Sequence, residues 1–300
     1  MNGTVPSASA DRATTSSAAH GSTAAAMHGA HWGPLRREIT KLLFQRRSYL
    51  IWAGAALVPF IIALAIKLND GGPRAGEGPQ FFSRVFSNGI YVAPGALTVL
   101  LPFLLPMAAA MVAGYMLAGE AELGTLRIIL LRPVRRGSIV LTKWVAAMLY
   151  LLVGLVLMVA SGLLFGGLFF GLHPMVLLSG TTVGVWHGLG IIALACLYGL
   201  AAMACIVSLA LLFSALSDSS LTALIAAIVV YIVIGVVIQF SYFDWLKPWV
   251  FPAYFEDYLN FFRDPIYWKP ILKGLEVFAA WSAGLVAVTW LLFRRKDVLS

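Results

Sequence analysis

Six long apolar runs divide the chain, at about 49–68, 90–118, 139–170, 183–213, 220–240 and 271–293. A run of about 18 or more apolar residues is long enough to cross a bilayer as a helix. The runs are too long for barrel strands and do not alternate polar with apolar. The pattern therefore predicts helices, which satisfy their own backbone within lipid. The second, third and fourth exceed the minimum length and are expected to tilt, kink or protrude. Pro94, Pro102 and Pro106 place an expected kink or unwinding in the second.

The polar segments between the runs carry patterns of their own. In 34–48, Leu35, Ile39, Leu42 and Leu43 recur at helical spacing and five cations occupy the rest. Pro34 suits a first helical turn. This predicts an amphipathic helix in the inner interface, with a solvated linker as the plainer alternative. The first outer loop, 69–89, is rich in Gly and Pro and is expected to be irregular. Gly162, Gly166, Gly167 and Gly171 form overlapping GxxxG pairs, and Gly184 with Gly188 forms another. Such pairs let backbones approach closely, either within one chain or, in the sharper reading, across a dimer. In the short inner turn 217–219, Asp218 stands beside Ser219 and Ser220 as an expected helix N-cap.

The last outer segment, 241–270, holds twelve aromatic residues in thirty. Trp and Tyr favour the headgroup level, so the segment is expected to lie in the outer interface or dip into it as short re-entrant helices. Glu256 and Asp257 are expected to face water or the exit of a pathway.

Composition agrees with this picture. The chain is 60% hydrophobic and 11% charged, with a mean hydropathy of +0.88. That leaves too little polar surface for a soluble globule of 300 residues. The first apolar run follows a long polar segment, unlike a secretory signal peptide. Residues 1–33 are rich in Ser, Thr, Ala and Gly and are expected to be a disordered tail, leaving 34–300 as one membrane domain. If both termini are cytoplasmic, the inner segments hold fourteen basic and six acidic residues and the outer segments seven of each. The whole net charge of +8 then falls on one side, as the positive-inside rule expects. These cations flank apolar runs and form no continuous patch, which argues against a nucleic-acid partner and for membrane lipid.

Chemistry of the chain's own is hard to find in the sequence. No GxxxxGK[ST] phosphate loop and no HExxH occur, so neither a nucleotide nor a metal is expected to bind this chain. Cys196 and Cys205 stand nine apart in one expected helix and read as packing residues. Ser161 lacks the GxSG context of an intramembrane protease, although His187 stands in the next run. With Lys143 assigned to the headgroups, only Lys67, Lys273 and Glu276 put charge inside the runs, each near an end. A buried ion relay is therefore poorly supported. Energy is expected to enter from the inner face.

On that face the informative stretch is 119–138, GEAELGTLRIILLRPVRRGS. Glu120 and Glu122 are expected at a helix start, where the macrodipole favours anions. Leu123, Leu126 and Leu130 share a face, Arg127 and Arg132 lie towards the end, and Pro133 stops the helix. Arg135, Arg136 and Lys143 are expected to anchor the return at the headgroups. The run Glu120, Glu122, Leu123, Gly124, Thr125, Leu126 and Arg127, followed by Arg132, Pro133, Arg135 and Arg136, resembles the inner loop of type-2 ATP-binding-cassette (ABC) exporter permeases. In that family the pattern E-x-x-x-G-T-x-x-x-x-L-x-x-P-x-x-R forms the coupling helix. The likeness extends over about 34–300, through the amphipathic entry helix, six spans, the long last outer segment and the closing Phe293-Arg294-Arg295-Lys296-Asp297.

The resemblance implies an all-α integral membrane permease of the cytoplasmic membrane: six transmembrane helices, an N-terminal interfacial helix, a cytosolic coupling helix, and outer re-entrant helices before the last span. It implies no catalytic residue and no cofactor in this chain, with ATP and Mg on a separate ABC ATPase subunit gripping those eleven residues. A second permease copy, or a related permease, is implied too. Transmission of force to an outer partner without cargo, or an ATP-independent channel or scaffold, remain open alternatives.

Overall fold

The computed structural model describes residues 32–68, 81–85, 87–124 and 136–295. Six helices long and apolar enough to cross a membrane run over Ser48–Leu68, Gly89–Glu122, Gly137–Phe170, Val185–Leu216, Ser220–Val237 and Trp268–Arg294. These are the expected runs, and the protein is an all-α integral membrane fold. The expected tail lies, except for Trp32 and Gly33, outside the described residues. Two-residue strands, Met175–Val176 and Thr182–Val183, pair antiparallel in the turn between the third and fourth spans.

A helix over Trp32–Leu43 precedes the first span and packs on the third. Pro34 sits in its first turn, where the missing N–H costs no intrahelical bond. Ile39 and Leu42 join the core, while Arg36 and Thr40 are exposed. After a break at Phe44 and Gln45, helix resumes at Arg46. The Ser48 hydroxyl donates to the Leu42 carbonyl across this corner.

The fourth span is the axle of the bundle. It packs against the second and sixth spans, and Ala202, Met203, Cys205, Ile206, Val207 and Ala210 are fully buried along it. Cys196 and Cys205 are both buried free thiols, in keeping with packing roles. By contrast, the fifth and sixth spans bury few of their residues.

The proline-rich second span changes helix type along its length. It opens as a 3₁₀ turn at Gly89–Tyr91, becomes α over Val92–Val99, π over Leu100–Leu104, and α again over Leu105–Glu122. The reason lies in its prolines. The Pro102 carbonyl would take its α-helical bond from residue 106, but Pro106 has no N–H. The Leu105 N–H reaches back five residues to the Leu100 carbonyl, which is the π pattern. The orphaned Pro102 carbonyl accepts instead from the Tyr231 hydroxyl of the fifth span at 2.6 Å.

The glycine pattern of the third span serves contacts within the chain. A Cβ placed on Gly89 would fall 2.0 Å from the Gly166 carbonyl oxygen, and one on Gly162 would meet Ala93 at 3.0 Å. Backbone therefore lies directly on backbone where the second span begins. The Gly89 N–H donates to the Gly171 carbonyl in the same place.

Between the fifth and sixth spans, the aromatic segment folds as 3₁₀ turns at Ser241–Phe243 and Lys247–Trp249 and a twelve-residue 3₁₀ helix, Phe251–Phe262. Its aromatics divide into two groups. Phe251, Phe255, Tyr258, Phe261 and Phe262 are buried in the core, whereas Tyr242, Trp245, Trp249, Tyr267 and Trp268 are exposed. Only the second group fits the expected interfacial role. The first group plugs the end of the bundle where the fifth and sixth spans are joined, with the Tyr258 hydroxyl donating to Thr98 Oγ1 and the Tyr198 hydroxyl to the Tyr254 carbonyl.

Candidate partner-docking site

Of the eleven residues expected to grip a partner, Glu120, Glu122, Leu123 and Gly124 are described. Thr125, Leu126, Arg127, Arg132, Pro133 and Arg135 lie outside the described residues, and Arg136 is described only as the first residue of the third helix. The structure thus defines the root of the loop and leaves its tip aside.

At that root the expectation of a new helix starting at Glu120 is overturned. The second span does not stop at Ala118, where the apolar run ends, but continues to Glu122. Glu120 and Glu122 stand in its last turn, where the macrodipole disfavours anions. Two sets of partners offset that penalty. Glu120 Oε1 lies 2.8 Å from Lys143 Nζ and 2.9 Å from Lys41 Nζ, and Lys143 Nζ also lies 3.1 Å from Glu38 Oε1. Glu122 accepts from the Ser220 N–H at 3.1 Å and from its hydroxyl at 2.8 Å. The helix then ends at Gly124, whose φ of +67° is a left-handed conformation natural to glycine at a helix terminus. The Gly124 N–H closes the turn by donating to the Ala121 carbonyl.

Two further expectations are corrected by the same contacts. Lys143 is not a headgroup anchor, because its side chain is only 2% exposed and is spent on two carboxylates. The N-cap of the fifth span comes from Glu122, across the bundle; Ser219 holds the cap position without a side-chain cap bond.

A third tie fixes the root to the axle. The Ser214 hydroxyl donates to the Gly114 carbonyl and accepts the N–H groups of Leu117 and Ala118, at 2.6, 3.1 and 2.8 Å. Burial works against the charge of Lys41, but the Glu120 hydrogen bond and the fields of Glu120, Glu38 and Tyr115 outweigh it. Lys41 accordingly titrates above its ordinary value of 10.5. Leu123, by contrast, projects with 65% exposure next to the loop.

Glu38, Lys41, Lys143, Ser214 and Ser220 complete this root, and sequence reasoning passed over them as site residues. Lys143 alone carried a signal, a cation four residues inside an apolar run. The others are joined by sequence separations of about 80 to 100, which no local pattern reports.

Two other places bear on chemistry. A cavity of about 380 Å³ opens between the first, second, third and fifth spans, lined by Trp52, Val58, Leu104, Met107, Tyr150 and Met158 among other apolar residues. Leu100 and Leu104 of the π segment form part of its wall. The Ser161 hydroxyl donates to the Ala56 carbonyl, and His187 is exposed on the fourth span.

A family model described as ABC-2 family transporter protein matches residues 8–298, nearly the whole chain. The chain belongs to the ABC-2 transporter family. No curated protein matches it. As an ABC-2 membrane subunit it is a multi-pass membrane protein, of a family whose members associate in general with an ABC ATPase and are generally not catalytic themselves. Within the ABC-2 frame, the end of the second span, at the root of the 119–138 loop, is tied to the helix Trp32–Leu43 and to the third, fourth and fifth spans.

Proposed function

We propose that this chain is the membrane half of an ABC exporter, moved by a separate ATPase that docks on the 119–138 loop at the cytoplasmic face of the cell membrane. The observation that carries this reading is the family match over 8–298 combined with a loop whose base is rigidly held. A push on such a loop is delivered to several spans at once. ATP and Mg belong on the ATPase, and this chain supplies shape and leverage. Both termini are cytoplasmic in this reading, supported by the placement of all the net positive charge on their side.

The fifth span, with Leu221, Ile225, Val229 and Val236 exposed, and the sixth, with Leu272 and Leu291 exposed, favour a second permease copy or a related permease as neighbour. The apolar cavity beside the π segment favours a lipophilic cargo such as a drug, a lipid or a lipid-linked molecule, because a polar molecule would lose its water there without new hydrogen bonds. The test replaces Leu123, which is exposed beside the loop, with Asp, and Arg127 with Glu. Loss of ATPase co-purification together with loss of ATP-linked transport is the expected result. Unchanged assembly and transport in both would end the docking claim. ATPase activity with no flux for any lipophilic candidate would point to force transmission to an outer partner.

A further inference from the structure

Four charged side chains from three elements form one network, in which two lysines share a Glu120 oxygen and Glu38 joins through Lys143. Glu120 comes from the last turn of the second span, Glu38 and Lys41 from the interfacial helix, and Lys143 from the third span. The set is neutral, with two cations and two anions. Glu120 and Lys143 are 4% and 2% exposed, so salt screens their attraction far less than it would a surface pair. Pulling the two apart strips each buried charge of the nearer of its two partners, leaving Glu120 with Lys41 and Lys143 with Glu38, and such a loss in a shielded site resists separation. A soluble partner cannot touch Glu120 where it lies, although the resemblance placed it on the docking face.

We propose that Glu120 is a positioning residue that locks the interfacial helix Trp32–Leu43 to the root of the loop, so that a displacement of the loop carries this helix and the third span with it as one body. The proposal rests on the reading of the 119–138 loop as the ATPase-docking segment, and it moves Glu120 from the gripped surface to the load path behind it. The geometry suits transmission: one oxygen shared by two ammonium groups ties both neighbouring elements to the same point. Leu42 and Ile39 add apolar contact, but such packing slides more readily than a shielded ion pair separates.

The test uses the full-length chain in liposomes with its ABC-class ATPase, spin-labelled at Thr40→Cys on the interfacial helix and Thr181→Cys in the outer turn. Both positions are exposed, while Cys196 and Cys205 are buried and escape the label. The wild-type background is expected to show an ATP-dependent shift in the distance between labels. Glu120→Gln and Lys41→Met are expected to lose that shift while still binding the ATPase and hydrolysing ATP, and Glu120→Asp, which keeps the charge, to recover part of it. Lys41 is half exposed, so its variant decides the matter alone if Glu120→Gln does not fold. An unchanged shift in the variants, or none in wild type despite a bound ATPase, overturns the proposal and leaves the docking reading standing. Loss of ATPase binding in Glu120→Gln alone returns Glu120 to the docking face. Absence of ATPase binding in wild type retires the docking reading, and the proposal with it.

Discussion

Lys143 and Lys41 hold the same carboxylate from opposite conditions, one shielded and one half in water. Removing one member of a buried pair typically costs about 3–5 kcal/mol, whereas exposed pairs are worth about 1 kcal/mol or less. Lys143→Ala is therefore expected to lower the thermal unfolding midpoint of the purified chain sharply, and Lys41→Ala only slightly. Equal losses would show that shielding does not separate them. The sign of the pH dependence follows from the raised Lys41 value. Its contribution is complete below the unfolded-state value near 10.5 and fades only as pH climbs past that towards the folded value. Across neutral pH it stays constant. Asp257 shows the same sign in the acid range. Burial, and next the charge of Glu256, raise it above 3.8, so the folded chain holds its proton longer than the unfolded one. Stability drops as pH rises through that window and does not return. Asp257→Asn is expected to raise the unfolding midpoint at neutral pH and to flatten its change between acid and neutral conditions.

At the scale of elements, the second span depends on two unusual supports. Where it begins, Gly89 and Gly166 meet backbone to backbone, and a side chain on either has no room. Gly166→Val is expected to cost at least the ~1–3 kcal/mol typical of overpacking, read as a lower unfolding midpoint in detergent. Gly54, with open space where its Cβ would stand, is the matching control as Gly54→Ala. In mid-membrane, Tyr231→Phe removes the donor that serves the Pro102 carbonyl, at a cost of about 1–3 kcal/mol for an unsatisfied group. A midpoint unchanged by Tyr231→Phe would mean that the π segment needs no outside donor. Both supports were partly legible in sequence. The proline spacing announced a defect and the glycine spacing a close contact, because each is a property of local backbone chemistry. The partners were not legible: Tyr231 lies 129 residues beyond Pro102, and nothing in its neighbourhood marks it. The extra turn to Glu122 was hidden for a different reason. Hydropathy ends a span at the first charge, whereas the helix ends where Gly124 turns left-handed, with Glu120 held by lysines and Glu122 by Ser220.

For the whole molecule, six apolar runs announced the fold, since lipid leaves a chain of this composition few alternatives. The aromatic outer segment was half legible. Its count of rings pointed to an interface, but which rings turn inward depends on the fit of Phe251–Phe262 against the fourth and sixth spans. Orientation is open to direct measurement. Cysteines introduced at Thr40 and Ser138 are expected to react with a membrane-impermeant maleimide only from the cytoplasmic side, and one at Thr181 only from outside. The reverse pattern would refute the charge argument and the docking proposal together.

The pairing of Glu120 with Lys143 also bears on how the chain enters the bilayer during synthesis. The two stand on successive spans, twenty-three positions apart, on either side of the loop. A third span threaded by itself would bring an unneutralised ammonium into the lipid. Entering as a hairpin with the second, it arrives with its counter-charge alongside. Glu38 and Lys41 of the preceding helix complete the quartet, so a hairpin entry and the final geometry favour each other.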